Sequence, residues 1–114
     1  MDSKRIQSLI IWGADAHAAI GRMLNDEVFY LNLVEMFITS SDWFELEKLL
    51  SENKYKEAFI VSHRMKGSCA DLSLTPLYEA LCELTDDLRG EVRPTLSDNI
   101  KKVYKLKDTL TEAF

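Results

Sequence analysis

Apolar residues recur every three or four positions along most of this chain, the spacing of amphipathic helices. Tyr30, Leu33, Val34, Phe37 and Ile38 form one such stripe, and Trp43, Leu46, Leu49 and Leu50 carry it onward. Asp26 is placed to cap that helix, with Glu27 and Phe29 in its first turn. The run Thr39-Ser40-Ser41-Asp42 interrupts the stripe with side chains that compete for backbone hydrogen bonds. The segment is therefore either one helix from Asp26 to about Glu52 or two, with a restart at Asp42; the single helix is the expectation. A second stripe, Ala58, Val61, Ser62, Met65, Cys69 and Leu72, predicts a helix from about Lys54 to Asp71.

Thr75-Pro76 then offers a capping hydroxyl followed by proline at the first helical position. The helix it opens runs through Leu77, Leu81 and Leu84 to Arg89, with Gly90 as its stop. Beyond Pro94, a last helix uses Leu96, Ile100, Val103, Leu106 and Leu110. At the other end, Asp15 suits the cap of a short helix through Ile20, Met23 and Leu24. Residues 1–13, with Ile6, Leu9, Ile10 and Trp12, fit either a helical turn or an extended arm lying on the bundle. Five helices in all give an all-α fold, an antiparallel four-helix bundle with a short additional N-terminal helix. Residues 1–114 form one domain, with an arm over 1–13 and the bundle over 14–113.

Composition narrows the function classes. Hydrophobic and charged fractions of 46% and 29% are those of a folded chain, not a disordered one. Four glycines and two prolines leave room for few turns, which favours long helices over many short strands. A net charge of −5 argues against nucleic acid as the partner, because phosphate contacts need a basic surface. Lys101, Lys102, Lys105 and Lys107 alternate with apolar residues, as on a solvated helix face. Cys69 and Cys82 are too few and too widely spaced for a zinc site or a disulfide framework, and read as reduced, largely buried thiols. The apolar run Leu9–Trp12 is too short for the core of a signal peptide, and no run approaches the roughly 20 residues that span a membrane. The chain is expected in the cytoplasm and, from Met1 and its compact length, is expected to be a free-standing protein.

The candidate chemistry lies on the second stripe's helix. His63, Lys66 and Gly67 stand at i, i+3 and i+4 and so share a face. A neutral imidazole can take a phosphoryl group at a ring nitrogen. Lysine one turn away brings a mobile positive charge to phosphate oxygens. Glycine inside a helix costs about 1 kcal/mol against alanine, and clearing space beside His63 would account for it. Phe59 and Ile60 are apolar where a solvated face would be polar. They mark a docking surface, or else extend the core or lie under the N-terminal arm. His17 has no Lys-Gly partner and reads as a surface histidine.

The motif His63-Arg64-Met65-Lys66-Gly67-Ser68, the turn Asp71-Leu72-Ser73-Leu74 and the following Leu77, Leu81 and Leu84 resemble the histidine-containing phosphotransfer domain of multistep phosphorelays. Gly13-Ala14-Asp15, Asp26-Glu27-Val28-Phe29-Tyr30 and Phe37 are similar to that family's upstream positions, so the resemblance covers about residues 13–110. Two positions depart from the pattern: Ser73 stands where glycine is usual, and Thr85 where glutamate is common. The resemblance implies His63 as phosphoacceptor, Lys66, Gly67 and Ser68 around the phosphate, and Phe59, Ile60 and Arg64 as docking residues. It also implies a monomeric phosphocarrier without its own nucleotide, metal or membrane contact. Its partners would be response-regulator receiver domains, which supply Mg²⁺, or a hybrid histidine kinase upstream.

Other classes fit less well. A non-phosphorylated adaptor binding a signalling partner would explain Phe59 and Ile60 but leaves His63, Lys66 and Gly67 unaccounted for. An enzyme reading finds no P-loop and no nucleotide-binding glycine box. A histidine-kinase helix usually has an acidic residue after its histidine, where Arg64 stands here, and no Glu-x-x-His pair suggests a di-metal bundle. A histidine satisfied in the core is the commoner fate of an isolated histidine, but here Lys66 and Gly67 accompany it.

Overall fold

A computed structural model describes residues 2–114. Among these residues every regular element is helical, and there are seven. They are α1 (Asp2–Trp12), α2 (Ala16–Arg22), α3 (Glu27–Ile38), α4 (Asp42–Ser51), α5 (Tyr55–Asp71), α6 (Thr75–Asp87) and α7 (Leu96–Ala113). Helix α5 packs between α4 and α6, α6 continues onto α7, and α7 onto α1. The all-α expectation holds. No helix among the described residues is long and apolar enough to cross a membrane.

The N-terminal arm is a helix rather than an extended strap; Met1, its first residue, lies outside the described residues. Ile6 and Leu9 are buried, and the Trp12 indole donates to Thr109 Oγ1 at 2.9 Å, tying α1 to α7. Asp15 occupies the N-cap position of α2, as expected, but its side chain makes no capping bond. Helix α2 ends at Arg22, two residues short of the expected end. Leu24 falls in the following turn at φ 58° and is 92% exposed, so it is not a core residue. Asp26 does cap α3, accepting from the Phe29 N–H at 3.0 Å.

The expected single helix over 26–52 is two helices, α3 and α4. The break falls at the hydroxyl-rich run, and side chains and an indole make it. Thr39 Oγ1 donates to Glu35 O at 2.8 Å, and Ser40 Oγ accepts from the Asp42 N–H at 3.1 Å. The Trp43 indole then donates to Phe37 O at 3.0 Å, taking the carbonyl that a continuous helix would give to residue 41. Folded back in this way, Trp43 packs edge-on against both Phe37 and Tyr104, with ring centroids 5.5 Å apart in each case. The Tyr104 hydroxyl donates to Trp43 O at 2.6 Å. Burying one indole among aromatic rings from two other helices outweighs the backbone bonds lost at the bend.

Helix α6 also starts differently from its expected cap. Leu74 is the N-cap, and the Thr75 hydroxyl donates back to Ser73 O at 3.4 Å instead of capping. Its end comes at Asp87, two residues before the expected one, and Gly90 adopts φ 74° in the loop beyond.

The turn from α5 to α6 fixes the far end of the His63 helix. Ser73 sits at φ 53°, the left-handed conformation that suits the glycine usual in the resembled family. Several bonds hold it there. Arg22 Nη2 donates to Ser73 Oγ at 2.9 Å and to Asp71 O at 3.1 Å, and the Asp15 N–H donates to Ser73 O at 2.9 Å. The buried Tyr30 hydroxyl donates to Leu72 O at 2.9 Å.

That last bond makes a prediction. Burial, and secondarily the Asp15 charge against the opposing Arg22, push the Tyr30 phenol up to about 12. An unfolded tyrosine titrates near about 10, so between these values the folded chain holds the proton that the unfolded chain has lost. Stability from this group is therefore complete below about pH 10 and falls as pH rises towards about 12. Urea unfolding across that range should show a shallower decline for Tyr30→Phe than for the wild type. At neutral pH the variant should lose about 1–3 kcal/mol, because Leu72 O is left without its partner. Equal slopes for the two proteins would exclude Tyr30 as the source.

Candidate functional site

Helix α5 sorts its residues by face as the stripe requires. Ala58, Val61, Ser62, Met65 and Cys69, with Leu72 just beyond, are all buried. Burial pushes the Cys69 thiol's pKa up, with the neighbouring Cys82 adding to it, which keeps Cys69 a protonated core group. Ser62, immediately before His63, shares a 2.6 Å hydrogen bond with Thr85 of α6. Thr85 in turn donates to Leu81 O, so the proton between the hydroxyls is Ser62's. The position where the resembled family often has glutamate is thus fully buried, its hydroxyl engaged inside the α5–α6 seam.

On the outer face His63, Gly67 and Ala70 are exposed, while Phe59 and Lys66 are half-buried. A Cβ built at Gly67 would meet nothing within 4 Å, so no neighbouring helix accounts for this glycine. Ser68 is half-buried and its hydroxyl turns back to Arg64 O at 3.5 Å, on its own helix. Phe59 leans on His63, with ring centroids 5.9 Å apart and planes inclined at 36°.

The three docking candidates separate. Phe59 packs partly against the core, whereas Ile60 is 61% exposed. Arg64 points to α4, where its Nη2 and Nε lie 2.8 and 3.3 Å from the two carboxylate oxygens of Asp42. Glu45 stands 3.9 Å away, and the Asp42 bond holds the guanidinium more firmly cationic. Arg64 therefore fixes α4 to α5 as well as bordering the site.

Residues that the sequence did not single out complete the surroundings. The Arg89 guanidinium lies 5.2 Å from the Phe59 ring centroid, on a cation–π contact. Beside it a groove of about 340 Å³ is lined by Tyr55, Lys56, Phe59, Ile60, Leu88, Arg89 and Gly90. It forms where the start of α5 meets the end of α6, two segments distant in the sequence. His17, the other histidine, is exposed on α2. Among the described residues no group of three or more His, Cys, Asp or Glu is placed to hold a metal ion.

Comparisons with family models, with curated proteins and with solved structures found no significant match to this chain.

Proposed function

We propose that this protein is a phosphocarrier of a two-component phosphorelay, taking a phosphoryl group on His63 and passing it on. The observation that carries the reading is the open space at Gly67, one turn from an exposed imidazole on an otherwise well-packed helix. In the first step a ring nitrogen of His63 attacks the phosphorus of a receiver's aspartyl phosphate. The N–P bond forms, the P–O bond to the acyl group breaks, and the aspartate leaves as a carboxylate. The reverse step delivers the group to a second receiver. Catalysis of such transfers is mostly positioning and charge neutralisation; Lys66 supplies one positive charge, and the receiver would supply Mg²⁺. Helices α4 to α7 would then form the antiparallel four-helix bundle, with α3 extending its first arm, working as a monomer in the cytoplasm beside its receivers. No nucleotide or metal of its own is needed.

The direct test is to incubate the protein with phosphoramidate and with phosphorylated receivers of the same organism. The expected product is one acid-labile, alkali-stable phosphate located on His63 by mass spectrometry. No uptake from any donor would overturn the carrier reading and leave the adaptor.

Gly67→Gln separates access from chemistry. The new side chain would enter open space, so the helix should be as stable or gain up to about 1 kcal/mol from propensity. Transfer from a receiver should fall, because the side chain obstructs the approach to His63. Phosphoramidate, being small, should still modify the imidazole at close to the wild-type rate. Unaltered receiver transfer would show that Gly67 is not there for access.

A further inference from the structure

We propose that the groove beside His63 takes an acidic segment of the phosphorylating partner, anchored by an apolar side chain between Lys56 and Arg89. The inference rests on the carrier reading and adds the chemistry of the partner's second contact. Charge complementarity identifies the occupant. The chain carries a net charge of −5, yet both charged residues lining this groove are cations. An acidic segment is attracted to these two cations, which steers encounter and orients the complex.

The apolar share of the lining explains the anchor. Leu88 is buried at 3% exposure, Phe59 is half-buried, and Ile60 offers 61% of its surface to solvent. About 340 Å³ is near the low end for a small-molecule pocket, and this groove is open to solvent, so a side chain suits it better than an enclosed ligand. Gly90, at φ 74°, has nothing within 4 Å of a Cβ position, which leaves the rim clear for a backbone to pass.

Both cations are available. Arg89 is held over Phe59, and its ion pair with Asp86 is 3.7 Å long between side chains that are both more than half exposed. Such a pair contributes little and exchanges easily. Lys56 makes no ion pair with the described residues. The groove reaches the phosphoacceptor through Phe59, whose ring is 5.9 Å from that of His63. A segment seated there is continuous with the surface that a phosphoryl donor must cover.

The test uses the full ¹⁵N-labelled chain and two peptides, acetyl-DDLFEE-amide and acetyl-KKLFKK-amide, followed by amide chemical shifts. The acidic peptide is expected to move resonances of residues 55–60 and 88–90, with affinity in about the millimolar range for so small a contact. The basic peptide should not. Lys56→Glu with Arg89→Glu, both at exposed positions, should weaken the acidic peptide by about tenfold or more while leaving the unfolding midpoint close to the wild type. In the same variant, KM for a phosphorylated receiver should rise while labelling by phosphoramidate is unchanged. Equal binding of both peptides, shifts confined to other residues, or unaltered binding in the double variant would overturn the proposal. Concentration-dependent shifts of these residues without peptide would also overturn it, in favour of a second copy of the chain. Failure of the carrier reading looks different: His63 would stay unlabelled by phosphoramidate whatever the peptides do.

Discussion

His63→Gln is expected to take up no acid-labile phosphate from any donor while remaining folded. Glutamine matches the imidazole in reach and polarity, but its amide nitrogen is not a nucleophile, so the acceptor atom alone is removed. Stability should stay within about 0.5 kcal/mol of the wild type, because the ring is exposed and its closest aromatic neighbour, Phe59, is also packed on the core. His17 is a built-in control. It is exposed on α2 with Gly21 four residues along and open space there too, but buried Ile20 stands where Lys66 follows His63, so it is expected to stay unlabelled. Phosphate persisting on the variant and mapping to His17 would move the site there. A loss of about 2 kcal/mol or more would instead make position 63 a structural one, of the kind that buried polar groups show when removed. Labelling and unfolding measured on one preparation therefore separate an acceptor from a core histidine.

What the sequence disclosed and what it hid divide along one physical line. The faces of α5 were legible because they depend on a spacing within one helix: the apolar stripe is buried, and His63 and Gly67 lie outside it. The break between α3 and α4 was visible as a weak point, but its outcome was not. The deciding contacts come from Tyr104 of α7, whose ring and hydroxyl hold Trp43 in the folded-back position. Local chemistry offered both conformations, and a partner 61 residues away chose. Asp15 and Thr75 show a subtler miss. Each has a side chain that caps helices well, but Asp15 makes no capping bond and Thr75 donates to Ser73 O. A capping preference is a property of the residue, whereas a cap also needs the right backbone angles.

The site divides in the same manner. Arg64 enters as a docking residue through the resemblance alone, and its bond to Asp42 of another helix was not legible in the sequence. The groove was illegible because Lys56 and Arg89 meet only after α5 and α6 have packed. Ser73 was equally hidden: its φ of 53° is the left-handed conformation that glycine adopts most readily, and its side chain alone does not announce it. The bonds from Arg22, Asp15 and Tyr30 around that turn hold a serine in this conformation.

Gly13→Ala should be the most destabilising single-methyl change in the chain. Gly13 closes α1, its N–H reaching Leu9 O and Ile10 O at 3.1 and 3.0 Å, and it does so at φ 127°, where L side chains are rarely found. A Cβ there would lie 2.6 Å from Pro76 Cγ and 3.3 Å from its Cδ. The proline ring cannot swing aside, and it sits in the first turn of α6, directly after the turn that ends the His63 helix. Backbone strain of about 1–3 kcal/mol and overpacking of about 1–3 kcal/mol act together. Their sum is a large part of the roughly 5–15 kcal/mol that holds a domain folded. Pro76→Ala separates the two terms, since it removes the atoms in the way but leaves the φ requirement. In the double variant, the overpacking share of the loss should return and the strain share should remain, giving a coupling of about 1–3 kcal/mol. A Gly13→Ala protein within about 0.5 kcal/mol of the wild type would mean that the α1–α2 corner shifts freely against α6, and that the corner does not fix the α5–α6 turn. Any folded fraction of the variant should still accept phosphate on His63, because Gly13 lies against Pro76 of α6, beyond the end of the His63 helix and away from its reactive face.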